Sequence, residues 1–219
     1  MMKTIAIIPC YNEEKTIAEV IKKAKKHVDK IIVVNDGSID NTEKQAKKAD
    51  LVLTHIVNMG KGLALKTGIE AAIKLKANII ITLDGDMQHD PNDIPRMLKE
   101  IKKGKDIVIG CRKLDENMPF TLKFGNFFLY QSFKNLFKVD IHDTQSGYRA
   151  FKAEIYPKLK WTSSGYAVET EMLIGLNKNN LKYQEIPIKT VYNDKYKGTS
   201  VIDGITIFLS MLLWKVKQW

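Results

Sequence analysis

Two carboxylates, Asp84 and Asp86 in Asp84-Gly85-Asp86, follow directly on the apolar run Ile79-Ile80-Ile81-Thr82-Leu83. Such a run reads as a buried strand, and two acids leaving its end at that spacing can point to one side. Hard oxygen donors of this kind suit Mg2+ or Mn2+, and a divalent ion held there would neutralise a bound diphosphate. Asp and Gly are also ordinary turn formers, so the pair gains meaning only from its surroundings. Asn35-Asp36-Gly37-Ser38 follows a second apolar run. There an acid can form a turn, or accept hydrogen bonds from a base or ribose as strand-end acids do in nucleotide-binding α/β folds. Gly60-Lys61-Gly62 precedes a helical pattern and could offer backbone N–H groups to an anion, although its spacing is that of neither a P-loop nor Gly-x-Gly-x-x-Gly.

These residues need a frame that brings strand ends together. Short β-branched runs at Thr4–Pro9, Lys30–Asn35, Leu51–His55, Asn78–Asp84 and Asp106–Cys111 read as strands. Between them Glu13–His27, Asn41–Lys48, Gly62–Lys76 and Pro91–Lys103 read as helices. Alternating β and α predicts an α/β fold with a mostly parallel central sheet and helices on both faces. Ligands of such sheets sit beyond the carboxyl ends of the strands, where the polar stretches around Tyr11, Asp36, Lys61 and Asp84 should converge. Further on, Asp143–Arg149 reads as a polar loop, Tyr166–Asn177 as a helix, Leu181–Tyr192 as a strand and Ile202–Lys217 as a closing helix.

The 219 residues, with 44% hydrophobic and 27% charged, suffice for one globular domain and exclude a disordered or fibrous chain. Cys10 and Cys111 fit no metal spacing and should be reduced thiols. The first apolar run ends at Pro9 without a basic leader, so no signal peptide is expected and the protein should stay in the cytosol. A net charge of +10 favours polyanions in general, whether nucleic acid, anionic lipid or a phosphorylated substrate.

In order along the chain, Ile8-Pro9-Cys10-Tyr11-Asn12-Glu13-Glu14, Val34-Asn35-Asp36-Gly37-Ser38-Ile39-Asp40-Asn41-Thr42, Asn58-Met59-Gly60-Lys61-Gly62 and Asp84-Gly85-Asp86-Met87-Gln88-His89-Asp90-Pro91 are followed by Gly110-Cys111-Arg112, Ser146-Gly147-Tyr148-Arg149 and Glu169-Thr170-Glu171-Met172. This series resembles the GT-A fold glycosyltransferases of family 2, especially the dolichyl/polyprenyl-phosphate sugar synthase branch, over nearly the whole chain. The resemblance implies that Pro9, Tyr11, Glu13, Asp36, Lys61 and Asp84 bind the nucleotide sugar, and that Asp84, Asp86 and Gln88 hold the metal, Mg2+ or Mn2+. It places Arg112 on the acceptor phosphate and gives catalytic roles to Asp86, Arg112 and Asp143. The later basic motif of the family stands here as Lys195-Tyr196-Lys197-Gly198-Thr199-Ser200-Val201, with Lys195 where the family has Arg. A lysine keeps the charge and loses the bidentate fork.

The chemistry implied is transfer, with inversion, from a GDP- or UDP-linked sugar to a polyprenyl or dolichyl phosphate at the cytoplasmic face of a membrane. A lipid monophosphate is already largely anionic near neutrality and needs no strong general base. Asp143 is then the carboxylate expected to touch the acceptor, with a loop or helix cap as its alternative role; Glu169 and Glu171 are equally open. An acceptor with a plain hydroxyl would instead require a true base. A nucleic-acid module is the remaining reading, disfavoured by strand-end acids and by the absence of a nucleic-acid motif, so no nucleic-acid partner is expected.

Pro119–Val139 holds six of the eight Phe together with Lys123, Lys134 and Lys138, and no acid. This is the composition of an interfacial segment, with a Phe-rich core helix as the alternative. The expected organisation is a catalytic domain over 1–200, including the membrane-interface segment 119–139, and a C-terminal amphipathic helix over 201–219. The sequence carries no signal for oligomeric state.

Overall fold

The computed structural model of the chain describes residues 2–112, 120–189 and 201–217. Strands β1 (Thr4–Cys10), β2 (Lys30–Asn35), β3 (Leu51–Thr54), β4 (Ile79–Thr82), β5 (Ile107–Arg112), β6 (Arg149–Lys152) and β7 (Tyr183–Ile188) form one sheet in the order β3-β2-β1-β4-β6-β5-β7. All pairings are parallel except those of β6, which runs antiparallel between β4 and β5 with Ile80 opposite Phe151 and Val108 opposite Ala150.

The period of two in the strand sequences explains the layers. On β1, Ile5 and Ile7 enter the core on one side of the sheet, while Ala6 and Ile8 enter the core on the other. The second side is covered by helices α1 (Ile17–Ala24) and α4 (Ile94–Lys102), through Val20, Ile21, Met97 and Ile101. A short helix α2 (Thr42–Ala46) lies between β2 and β3. The first side is covered by α3 (Lys61–Lys74), α5 (Phe120–Phe137), α6 (Val168–Lys178) and α7 (Val201–Val216). Burying each Ile of the central strands contributes about 1.5–3 kcal/mol, and the β1 side chains Ile5, Ile7 and Ile8 are 0% exposed.

The expected three-layer α/β arrangement is present, with two corrections. Asp143–Arg149 reads as a loop in the sequence, but a strand begins at Arg149 and is the one antiparallel member of the sheet. Helix α1 starts at Ile17 and not at Glu13, because the Glu13 carbonyl accepts the N–H groups of Thr16 and Ile17 in a turn that precedes it.

Helices α5 and α7 pack on each other, with the rings of Phe128 and Phe208 4.9 Å apart. Leu129 and Phe133 of α5, and Ile207, Met211 and Trp214 of α7, are buried. The outer face of the pair leaves Phe124, Phe127, Phe128, Ile205, Leu209 and Leu213 exposed. Among the described residues no helix is long and apolar enough to cross a membrane.

Candidate active site

A cavity of about 540 Å³ opens at the carboxyl ends of β1, β2, β4 and β5. Pro9, Tyr11, Glu13, Asp36, Lys61, Asp84, Asp86, Gln88 and Arg112, nine of the residues expected from the sequence, line it. Asp143 does not, and Lys195 lies outside the described residues.

Lys61, the first residue of α3, is the electrostatic centre. Its ammonium lies 2.6 Å from Asp84 Oδ1 and 2.7 Å from Glu169 Oε1. Burial disfavours its charge, but the two carboxylates outweigh this and raise its pKa. Burial likewise opposes ionisation of Asp84, yet the charge and hydrogen bond of Lys61 hold its carboxyl below the usual range. Asp86 stands differently: burial first, and then the charge of Asp84, push its pKa up to about 6. Its carboxylate accepts the Gln88 N–H at 2.9 Å. A half-buried carboxylate with a like-charged neighbour, lining a cavity together with the Gln88 side chain, is a donor set that suits a hard divalent cation. Asp84, Asp86 and Gln88 therefore fit the expected metal.

His89 follows in the same turn. It is 4% exposed, stacks on Tyr148 with ring centroids 5.3 Å apart and has its Nδ1 3.8 Å from Asp84 Oδ2. Burial lowers its pKa to about 4, so the ring is neutral at physiological pH. The sequence offered a signal for it, a histidine three residues after the second acid, which went unused.

The N–H groups of Gly60 and Gly62 are already used within the protein. The Gly62 N–H donates to the Ser164 carbonyl at 2.6 Å, and a Cβ on Gly62 would lie 2.1 Å from the Ser163 oxygen. The Gly60 N–H donates to Asp36 Oδ2 at 2.8 Å. The glycines let the segment before α6 pass close against the start of α3, and Trp161 Nε1 locks that approach by donating to the Gly62 carbonyl at 3.0 Å. Asp36 also accepts from His55 Nδ1 at 2.7 Å and the Met59 N–H at 2.9 Å, so its carboxylate shapes the 58–60 loop while lining the cavity.

Arg112 ends β5 and is gripped by Asp143. Its Nε donates to Oδ2 at 2.7 Å, its Nη2 to Oδ1 at 2.8 Å and its backbone N–H to Oδ2 at 3.0 Å. Both carboxylate oxygens are thus turned to the guanidinium, behind the cavity wall. Burial works against the charge of Asp143, and Arg112 overcomes it and lowers the pKa. Asp143, expected at the acceptor, does not line the cavity and is turned to Arg112, a partner 31 residues away in the sequence. Of the two open glutamates, Glu169 lines the cavity, whereas Glu171 accepts from the N–H and hydroxyl groups of Thr162 and Ser163 and is structural.

Gly147, just before β6, closes the back of the site. A Cβ there would meet Lys61 Nζ at 2.8 Å and both Asp84 carboxylate oxygens at 3.1 Å. Gly147→Ala is expected to push the ion pair by a few tenths of an ångström and lower turnover about tenfold, with a stability cost of about 1–3 kcal/mol. Steady-state kinetics and a thermal melt check this; wild-type turnover would mean that the pair tolerates displacement.

Residues 5–160 match the family described as Glycosyl transferase family 2. The chain is 40% identical to an uncharacterised protein of Methanocaldococcus jannaschii, over 96% of this chain and 91% of that one. It is 36% identical to the UDP-N-acetylglucosamine–dolichyl-phosphate N-acetylglucosaminyltransferase of Methanococcus voltae, over 96% and 95%. A crystal structure of glucosyl-3-phosphoglycerate synthase from Mycobacterium tuberculosis, in complex with Mn2+, UDP and phosphoglyceric acid, shares the fold with a TM-score of 0.77 at 20% identity, covering 98% of this chain and 78% of that one. Sequence match, near-full-length identity and fold agree with the cavity just described, and the chain belongs to glycosyl transferase family 2, as a GT-A glycosyltransferase related to those that load sugars onto dolichyl phosphate.

Proposed function

We propose that the enzyme transfers a sugar, with inversion, from a UDP- or GDP-linked donor to a polyprenyl-type lipid phosphate, working as a peripheral protein on the cytoplasmic membrane face. One observation carries the reading: a single cavity is lined by two strand-end carboxylates, Asp84 and Asp86, and by an arginine held in fixed orientation, Arg112 on Asp143. A donor diphosphate and a separate acceptor phosphate each have a partner. Pro9, Tyr11, Glu13 and Asp36 form the nucleotide end. Asp84, Asp86 and Gln88 would hold Mg2+ or Mn2+, which when bound supplies charge neutralisation for the leaving nucleoside diphosphate. An acceptor phosphate oxygen forms the bond to the anomeric carbon as the bond to the diphosphate breaks. Arg112 orients that oxygen and need not deprotonate it, since a phosphate monoester is largely ionised at neutral pH. Lys195 stands as a second cation for the acceptor.

The relative from Methanococcus voltae is named for UDP-N-acetylglucosamine and dolichyl phosphate, which supports trying that donor first. The test incubates the protein with labelled UDP-N-acetylglucosamine, UDP-glucose or GDP-mannose, Mg2+ or Mn2+, and polyprenyl phosphate. Lipid-extractable label that requires the phosphate is expected. Equal transfer to a polyprenol without phosphate, or to a saccharide, would overturn the lipid-phosphate acceptor in favour of a hydroxyl.

The exposed Phe124, Phe127 and Phe128 of α5, beside Ile205, Leu209 and Leu213 of α7, form the face proposed to meet lipid. Lys123, Lys134 and Lys138 would meet anionic headgroups, each contributing about 1 kcal/mol; Lys134 shares its charge with Asp140 at 2.8 Å. The protein is expected to sediment with anionic liposomes and to be released in part as salt rises, because salt screens the charges and not the apolar contact. Changing the three lysines to Glu should abolish much of the binding. Unchanged binding by that folded variant would remove the three lysines from the proposed membrane contact.

A further inference from the structure

Arg112 takes its orientation from Asp143, and Asp143 lies in the loop between α5 and β6, outside any helix or strand. Whatever holds that loop decides where the guanidinium points. The period of two along β7 shows what does. Ile186 and Ile188 enter the core on the α1 and α4 side of the sheet, and Tyr183 packs on the opposite side, so Glu185, two residues after Tyr183, leaves the sheet toward the loop. Its Oε1 accepts two consecutive backbone N–H groups, that of His142 at 2.8 Å and that of Asp143 at 3.3 Å, while its Oε2 faces His142 Nδ1 at 2.9 Å. We propose that Glu185 is a positioning residue for the transfer: it sets the backbone that carries Asp143, and through Asp143 the arginine that meets the acceptor phosphate. The proposal rests on the role given to Arg112 above.

Two features separate this role from general support of the fold. The loop has anchors apart from Glu185: Ile141 is 0% exposed, and the Asp140 carboxylate accepts the Tyr130 hydroxyl and the Lys134 ammonium of α5, each at 2.8 Å. Removing the Glu185 carboxylate therefore frees the end that carries Asp143 and leaves the rest of the loop in place. The second feature is geometric. Both backbone bonds go to one oxygen, so the reach of an acceptor matters more than the charge behind it. The His142 side chain is 65% exposed, and its contact with Oε2 is weakened by water.

Steady-state kinetics on the full chain with Mg2+, polyprenyl phosphate and UDP-N-acetylglucosamine, UDP-glucose or GDP-mannose test this, beside calorimetry with UDP and GDP and thermal melts. In Glu185→Ala the KM for polyprenyl phosphate should rise about tenfold, because the cation that aligns it is misplaced, while affinity for the nucleoside diphosphate stays within about twofold. Glu185→Asp keeps the charge but draws the oxygen back by one carbon–carbon bond, about 1.5 Å. It should behave like Glu185→Ala, and it carries the test if the alanine variant does not fold. Glu185→Gln keeps an acceptor at the original reach and should hold the KM within about threefold of the wild type. Added to Arg112→Ala, Glu185→Ala should raise the KM no further, since the residue it positions is gone. A wild-type acceptor KM in folded Glu185→Asp, or an equal added loss on top of Arg112→Ala, would overturn the proposal and leave the role of Arg112 standing. An unchanged KM in Arg112→Ala, or no transfer to the lipid phosphate by the wild type, would overturn the acceptor reading itself, and this proposal with it.

Discussion

Asp86→Asn is expected to lower turnover by about 10² or more in a protein that still folds. The Asp86 carboxylate accepts the N–H of Gln88 within its own turn and has the charge of Asp84 beside it, which together with burial raises its pKa to about 6. An amide fills the same space, keeps an acceptor for that N–H and ends the repulsion. The metal-free variant should therefore melt no lower than the wild type. What it loses is affinity for the divalent ion, so Mn2+ or Mg2+ should raise the melting temperature of the wild type by mass action and leave that of the variant in place. A chelator should abolish wild-type activity, and added metal should restore it. Full activity in Asp86→Asn, or wild-type activity indifferent to chelator, would remove the metal assignment.

Arg112→Ala should act twice. It leaves Asp143, 9% exposed and otherwise ionised, without the guanidinium that both its oxygens face, and breaking a buried pair in this way costs about 3 kcal/mol or more. It also removes the cation proposed for the acceptor phosphate, so the KM for the lipid phosphate should rise more than about tenfold while nucleotide affinity, measured calorimetrically without acceptor, stays within about twofold. Arg112→Lys keeps the charge and loses the fork, so it should recover part of the stability. Adding Asp143→Ala to Arg112→Ala should also recover stability, since the stranded charge is gone. A loss of nucleotide affinity equal to the loss of acceptor use would place Arg112 on the donor.

The strand ends were legible because each follows a β-branched run long enough to be recognised, and a parallel sheet places such ends on one rim. That logic brought Tyr11, Asp36, Lys61 and Asp84 to one cavity without any contact being known. It reached less far where the partner is distant or the signal short. The grip of Asp143 on Arg112 was hidden because a sequence cannot show which residue 31 positions earlier a carboxylate will face. Strand β6 escaped because its four residues, Arg149-Ala150-Phe151-Lys152, hold only two apolar side chains and follow a polar stretch. Asp203 gave no signal at all: it is an acid in the first turn of an apolar helix, where a capping role is the ordinary expectation, and only the packing of α7 against the core brings it to the cavity.

The position of β6 governs the order in which the chain can assemble as it is made. Strands β1 to β4 lie within the first 82 residues and are neighbours in the sheet, with only the outer edge of β4 left for β6, so this half of the sheet can form early. β5 and β7 have no neighbour in that half; they join it through β6, whose residues are the last to emerge before the bridge can close. Until residue 152 has left the ribosome, the Ile79–Thr82 edge, buried along its whole length in the finished protein, stands open. An unpaired apolar edge is a template for association with other chains. The antiparallel strand is thus a late keystone, and the interval before it arrives is when the nascent protein is most exposed to aggregation.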